Sequence, residues 1–446
     1  MSVKYFVDDM FIPNDGSQSI IEDFEKNTSC DICVYPDVHF KRNSKMANGT
    51  LISSSNSIFP ACLGVENCGF TFGKIENTTK ERLIESFGNF SRLLGSKNLK
   101  KEYSKSQIMN MLLSEIELEY DKNKYLYDFL GLYDCDEVKK ASRQIMSGLM
   151  MGFAKKTICN LGGGNHFFEV HEIVEANDKN SVLKKGDLIF MLHSDSIFVG
   201  DILFNLFSNL SEIIANSGNG MRSKIKIQLL RLYRKMYFER IGISFRKNKK
   251  ELKVLFDKSN DYRHIEADTV LGKKILFAHN VASMFGEINR REIINNWCMT
   301  QNIKATIIGS HSHDSISIEE HERIRKVVHR NGVQKISDDY LCLLPGAMGS
   351  YSYILENSKN EEAYYSTNHG AGRFQDKHIA RDAYSVKETE EELSKDNIYL
   401  FRVGNCNLSE QNKHAFKNPD NIIDLMKKYN LAYPVAKTKP IAVMKG

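Results

Sequence analysis

Apolar positions recur at helical spacing in four stretches, predicting helices over Lys80–Leu94, Ser106–Leu118, Asp136–Gly152 and Ile318–His329. Short apolar runs predict extended segments at Cys33–Pro36, Thr50–Ser53, Leu188–Leu192, Lys274–Ala278, Ala305–Ile308 and Pro440–Met444. Strands and helices do not alternate in clean βαβ order. The pattern therefore predicts an α+β fold rather than a doubly wound sheet. From Arg222 to Lys253, twelve residues are Lys or Arg and two are Glu. Within it Ile225, Leu229, Leu232 and Met236 fall at steps of four and three, which predicts one buried helix face with the cations on the others. Such a helix is equally a footprint for nucleic acid and a solvated surface helix. The surrounding stretch, 201–260, is rich in Leu, Lys, Arg and Asn and reads as a helical insertion. The Glu-rich run Lys387–Asp396 reads as a solvated helix face or loop.

Composition narrows this picture. A chain of 446 residues fits one large domain or two ordinary ones. Its 41% hydrophobic and 26% charged residues are those of a soluble globular protein, so long disorder is not expected. No apolar run approaches the roughly 20 residues that span a bilayer, and Asp8 and Asp9 interrupt any signal-peptide core after Met1. Nine cysteines at irregular spacing suit reduced thiols and a cytoplasmic location. Cys30 and Cys33 form a lone C-x-x-C pair, for which ordinary packing is the expectation.

Candidate chemistry concentrates around histidine. His369 precedes Gly370, Ala371, Gly372 and Arg373. Small residues let backbone amides approach a phosphate, the guanidinium suits phosphate oxygens, and an imidazole beside them could attack phosphorus. His166 follows Gly162-Gly163-Gly164-Asn165, and Cys68 is followed by Gly69. His193 and His279 end the apolar runs 188–192 and 275–278, and His39 closes Tyr35-Pro36-Asp37-Val38. Histidines at strand ends, with a thiol and a carboxylate, suit Mn, Fe, Co or Zn, and ligand type alone does not choose among them.

Several motifs in this order resemble the RtcB family of GTP-dependent RNA ligases: Pro36-Asp37-Val38-His39, Asn67-Cys68-Gly69, Gly162 to Glu169, His193-Ser194, His279-Asn280, Val328 to Gly332, Pro345 to Tyr353, His369 to Arg373, and Lys439 to Gly446. The resemblance implies a single RtcB-like domain over 1–446, with 201–260 as a basic helical insertion. It implies an enzyme that joins an RNA 3′-phosphate or 2′,3′-cyclic phosphate end to a 5′-hydroxyl end, in RNA repair or tRNA splicing. By the same resemblance His369 takes up GMP from GTP. Cys68, His166, His193 and His279, with Glu66, hold Mn2+, two ions with the thiolate bridging. Asn165, Glu169, Ala347, Met348, Gly349, Ser352, Gly370, Ala371, Gly372, Phe416 and Lys445 form the nucleotide pocket. RNA is the implied partner, and an activating protein is left open. An RNA-end guanylyltransferase or phosphoesterase, or a non-catalytic RNA-end binder, are the alternatives.

The chain departs from the family pattern at identifiable places. The family has an aspartate three residues before the cysteine, where this chain has Val65, and Glu66 can substitute only if the local register shifts. After His193-Ser194 the family's arginine-containing run is replaced by Asp195-Ser196-Ile197-Phe198, and Ala347 stands where a serine is usual. Phe416 stands for a tyrosine, keeping a ring that can stack without its hydroxyl.

Overall fold

A central strand drawn from residues 432–445 organises the larger of two sheets. In the computed structural model, which describes residues 3–40, 45–62, 67–94, 99, 103–177, 182–196, 198–207, 221–257, 260–404 and 406–446, seventeen strands are found. They are β1 (Val3–Tyr5), β2 (Asp31–His39), β3 (Asn48–Ser54), β4 (Ser57–Ile58), β5 (Gly69–Glu76), β6 (Phe167–Ala176), β7 (Leu188–Ser194), β8 (Ile265–Glu266) and β9 (Lys304–Ser312). The remainder are β10 (Asp314–His321), β11 (Ile324–Asn331), β12 (Val333–Lys335), β13 (Cys342–Leu344), β14 (Ser352–Asn357), β15 (Ser366–Asn368), β16 (Tyr399–Arg402) and β17 (Ala432–Lys445).

The larger sheet runs β13-β14-β17-β6-β7-β5-β9, with β16 added parallel to β17. The second runs β1-β2-β3-β11-β10, and β4/β8 and β12/β15 form two-stranded ribbons. Helices Lys80–Leu93 and Val270–Gln301 pack on the larger sheet, Lys105–Glu119 packs on Val270–Gln301 and Leu149–Thr157 on Lys105–Glu119, and together they enclose the main core around Phe87, Phe90, Phe168 and Trp297. A second core lies between the five-stranded sheet and helices Ser17–Asn27 and Pro419–Lys428. The result is a mixed α+β architecture. Cys30 and Cys33 are buried in the second core, as ordinary packing requires.

Four expectations are corrected. Lys274–Ala278 is not a strand but part of the Val270–Gln301 helix, capped by the Thr269 side chain on Gly272 N–H. Within that helix the run Ile275–Ala278 is buried without interruption, and a short continuous apolar run does not distinguish helix from strand. Ile318–His329 is not a helix but the hairpin of β10 and β11, turning on Glu322 and Arg323, both at positive φ (50° and 64°) as a two-residue hairpin turn demands. The helix Met221–Arg240 forms, but Leu229, Leu232 and Met236 are exposed, and its inward face is Tyr237 and Phe238 instead. The side chain of Ile225 lies outside the described residues. The expected Asp136–Gly152 helix is two, Cys135–Ile145 and Leu149–Thr157, separated at Gly148. The Glu-rich run is a helix, Val386–Lys395, started by a Ser385 capping box. Among the described residues no helix is long and apolar enough to cross a membrane.

Candidate active site and metal cluster

Pairing across the larger sheet sets the site. Lys445 (β17) lies opposite Phe167 (β6), Phe167 opposite His193 (β7), His193 opposite Phe70 (β5), and Phe70 opposite His311 (β9). Directly opposed residues share a face, so one row of side chains crosses five strands. Cys68 and His166 sit just before β5 and β6, and His313 sits between β9 and β10, at the same end of the sheet. The Cys68 carbonyl accepts the His313 N–H at 2.9 Å, joining two of these segments.

Cys68, His166 and His193 each offer one ligand atom, all within 4.8 Å of one another. Cys68 Sγ is 3.4 Å from His166 Nε2, and His193 Nε2 is 3.0 Å from His313 Nε2. A thiol and imidazoles, all buried and convergent, are a donor set for a transition ion. Burial, then the charges of His166, His313, His369 and Lys445, push the His193 pKa well below the usual value, so the ring is neutral as a ligand must be. Asp195 Oδ2 lies 3.9 Å from His166 Nε2, adding a carboxylate at the edge of the cluster.

The supports are specific. Gly162, at φ +83°, could not be another residue, because a Cβ there would come within 2.3 Å of His166 Nδ1. From the Val270–Gln301 helix, Asn289 donates to Ser194 Oγ (3.1 Å), and Arg290 donates to the Ser194 carbonyl (3.0 Å) and Thr71 Oγ1 (3.1 Å). These bonds clamp the ends of β5 and β7 where Cys68 and His193 emerge.

His369 follows β15 and completes the group, its ring centroid 4.5 Å from that of His313 and stacked at 6.4 Å on Phe70. Its Nδ1 lies 2.7 Å from both Asp37 Oδ2 and the Gly332 carbonyl. Both are acceptors, so Nδ1 carries the proton and Nε2 of the neutral ring carries the lone pair. Burial alone would lower this pKa. The Asp37 hydrogen bond and charge, the Asp314 charge and the Gly332 carbonyl outweigh it and hold the value above the ordinary one. Asp37 is fully buried, and Lys417 Nζ donates to the carbonyls on both sides of it, Pro36 and Val38, at 2.9 Å each. Gly372, at φ +77°, passes so close that a Cβ would meet the Asp37 carbonyl at 2.6 Å.

These groups line one cavity of about 560 Å³. Cys68, His166, His193 and His369 are in its wall, together with Asn165, Glu169, Ala347, Met348, Gly370, Ala371, Gly372, Phe416 and Lys445. Arg373 is there too, its guanidinium 4.3 Å over the Phe416 ring and one amine donating to the Glu410 carbonyl at 2.8 Å. Gly349 and Ser352 are not in the wall. Ser352 Oγ instead accepts the Gly346 N–H at 3.0 Å and shapes the loop that is. Glu66 lies outside the described residues. His279 is not brought to the cluster: on the buried helix it accepts the Ile316 N–H at 3.2 Å beside a small separate cavity. The further imidazole beside the cluster is that of His313, next to His193. His39 holds its own turn through Asp37 O (2.7 Å), and His329 accepts the Phe59 N–H inside the second core.

Sequence reasoning missed His313, Asp37 as the partner of His369, and Asp314, which accepts the Gly332 N–H at 2.7 Å. The rule that a histidine ends an apolar strand applied after Ala305–Ile308, where Ser310-His311-Ser312-His313 alternates, and that signal would have found it.

The family model described as tRNA-splicing ligase RtcB matches residues 26–446. The tRNA-splicing ligase RtcB of Methanococcus maripaludis is 24% identical over 424 residues, covering 87% of this chain and 82% of that protein. Those of Pyrococcus horikoshii and Pyrococcus abyssi are each 25% identical, over 86% and 64% of this chain. The chain spans 44% and 31% of the length of those two relatives. A match over residues 26–446, which takes in the whole larger sheet and the segments that carry Cys68, His166, His193 and His369, makes this chain a member of the RtcB family.

Proposed function

We propose that the chain is an RNA ligase that joins a 3′-phosphate or 2′,3′-cyclic phosphate end to a 5′-hydroxyl end, as in RNA repair or tRNA splicing. One observation carries this reading: His369 offers Nε2 in a cavity shared with a thiol–imidazole cluster, while Asp37 and Gly332 hold its other nitrogen. Nε2 attacks the α-phosphorus of GTP, a P–N bond forms, and pyrophosphate leaves. An oxygen of the RNA 3′-phosphate then takes the GMP from His369, breaking that bond. The 5′-hydroxyl oxygen attacks the activated 3′-phosphorus and expels GMP. Water opens a cyclic phosphate beforehand.

Cys68, His166 and His193, with His313, fit as holders of Mn2+, one ion or two, and Asp195 fits as an outer carboxylate. The metal, when bound, polarises phosphate oxygens and offsets charge in the transition state. Asp37 keeps the His369 proton on Nδ1 and, as the P–N bond forms, steadies the positive charge on the ring. Arg373, Lys445 and the backbone at Gly370 to Gly372 receive the nucleotide, and Phe416 offers a ring to stack on its base. Residues 201–260 are read as a helical insertion in this domain, whose exposed Arg231, Lys235 and Arg240 suit an RNA backbone. The nine cysteines are thiols, which supports a cytoplasmic setting.

Incubation with labelled GTP and Mn2+ tests the reading. A covalent, acid-labile adduct is expected, absent in His369→Ala, and unlabelled RNA ends should be joined in its presence. No adduct with any divalent metal overturns the reading. Adduct without joining narrows it to guanylyl transfer.

A further inference from the structure

On β6, the alternation of the strand puts Phe167, Glu169, His171 and Ile173 on one face, away from Phe168 and Val170 in the main core. Glu169 lies in the cavity wall, and His171 is completely buried behind it. A histidine in the middle of a sheet needs a reason, and its ring is bonded at both ends. Nε2 is 2.8 Å from Glu169 Oε2, and Nδ1 is 3.0 Å from Thr438 Oγ1 on β17. Thr438 Oγ1 is in turn 3.3 Å from the Ser352 carbonyl on β14.

Counting protons fixes the direction of this chain. The Thr438 hydroxyl has one hydrogen. If it goes to His171 Nδ1, the neutral ring carries its proton on Nε2. If it goes to the Ser352 carbonyl, Nδ1–H donates to Thr438, and an ionised Glu169 still requires a proton on Nε2. Either way Nε2–H donates to Glu169. One carboxylate oxygen is thereby tied to three strands, and Oε1 is the oxygen left to a ligand.

We propose that His171 is a positioning residue: it fixes the Glu169 carboxylate as a pure acceptor in the cavity wall, and so sets the preference for a purine that offers N–H donors. This rests on the nucleotide reading above. Guanine presents N1–H and a 2-amino group side by side, which a carboxylate can accept. Adenine has a bare N1 at that place, and an acceptor facing a fixed acceptor is rejected. A loosely held carboxylate could turn aside and lose that discrimination. Lys445, whose Nζ donates to the Asn165 carbonyl at 3.2 Å, adds a nearby charge but does not fix the direction of the carboxylate.

The test uses the full chain and measures dissociation constants for GTP, ITP and ATP, beside thermal melting. In His171→Leu the GTP-over-ATP ratio should fall about tenfold or more, the size expected for loss of an ionic hydrogen bond that orients a binding group. His171→Gln, whose amide can donate from a similar place, should recover most of it. A merely structural role would weaken all three nucleotides together and leave the ratio unchanged. Should His171→Leu not fold, Thr438→Val carries the test, with a smaller fall in the same ratio. A ratio unchanged in every folded variant overturns the inference alone. No GTP binding by the unaltered chain overturns the ligase reading and takes this inference with it.

Discussion

Two buried polar clusters, one on each large sheet, are assembled by opposite rules. On the five-stranded sheet Arg330 meets Glu319 with both amines (2.6 and 3.1 Å), and its Nε donates to Ser366 Oγ (3.0 Å). The same guanidinium donates to the Tyr364 carbonyl (3.2 Å), and His321 and Lys335 add contacts to Glu319 (3.0 and 3.4 Å). Cation meets anion and donor meets acceptor, so the group closes on itself. At the end of the larger sheet Cys68, His166, His193 and His313 instead bring bases together against bases. Imidazoles and a thiol can share hydrogen bonds but offer no opposite charges to pair. Their convergent lone pairs suit an electron-poor ion brought from outside. Burial therefore does not separate structure from function here, but the pairing of charge does.

The contrast can be broken most strongly at the open cluster. Cys68→Ala, His193→Ala and His313→Ala should each weaken Mn2+ binding by about a hundredfold or more, exceeding what loss of a supporting partner alone costs. His279→Ala should leave it unchanged. Metal content after dialysis checks all four, and full retention in His313→Ala would contradict the assignment made here.

The closed cluster should respond in stability instead. Glu319→Gln is expected to cost about 3–5 kcal/mol, the usual result of breaking a buried ion pair from one side, with metal content preserved. Burial pushes the Glu319 carboxyl up, but the charges of Arg330 and Lys335 and the hydrogen bonds of His321 and Arg330 hold it well below the ordinary value. A depressed carboxyl contributes stability that is whole above its unfolded value near 4.5 and is lost as pH falls through the folded one. The gap between native and Glu319→Gln in urea melts should accordingly narrow on acidification below that value. The smallest effect is expected at the surface: Leu232→Gln should stay within about 0.5 kcal/mol, because that side chain is exposed, whereas a buried face would make it costly.

Legibility in the sequence followed chemistry more than periodicity. The run His369 to Arg373 and the glycines before His166 announced themselves, because close approach at Gly162 and Gly372 and positive φ at Gly164 leave few residue types possible there. The strands of the larger sheet were readable from apolar runs at 188–192, 305–308 and 440–444. The helix around His279 was not, since the short apolar run before it is buried without interruption and shows no period, and the error carried the histidine into the wrong company. The β10–β11 hairpin was hidden by charges: Glu319, Glu320, Arg325 and Lys326 look like a solvated helix, although some of them pair across strands. Asp37 was visible as a residue but not as a partner of His369, because only the fold brings β2 beside β15.

Strand β17 lies between β14 and β6 in the middle of its sheet, and its partners precede it in the chain. During synthesis both of those neighbours must wait with bare edges, and a chain stopping short of residue 432 would leave them so. Such an intermediate is prone to stick to its own kind and has no Lys445 to complete the row of side chains. Completion of the cavity wall should therefore come abruptly and only once β17 is made, after a long wait in which chaperones or proteases can intervene.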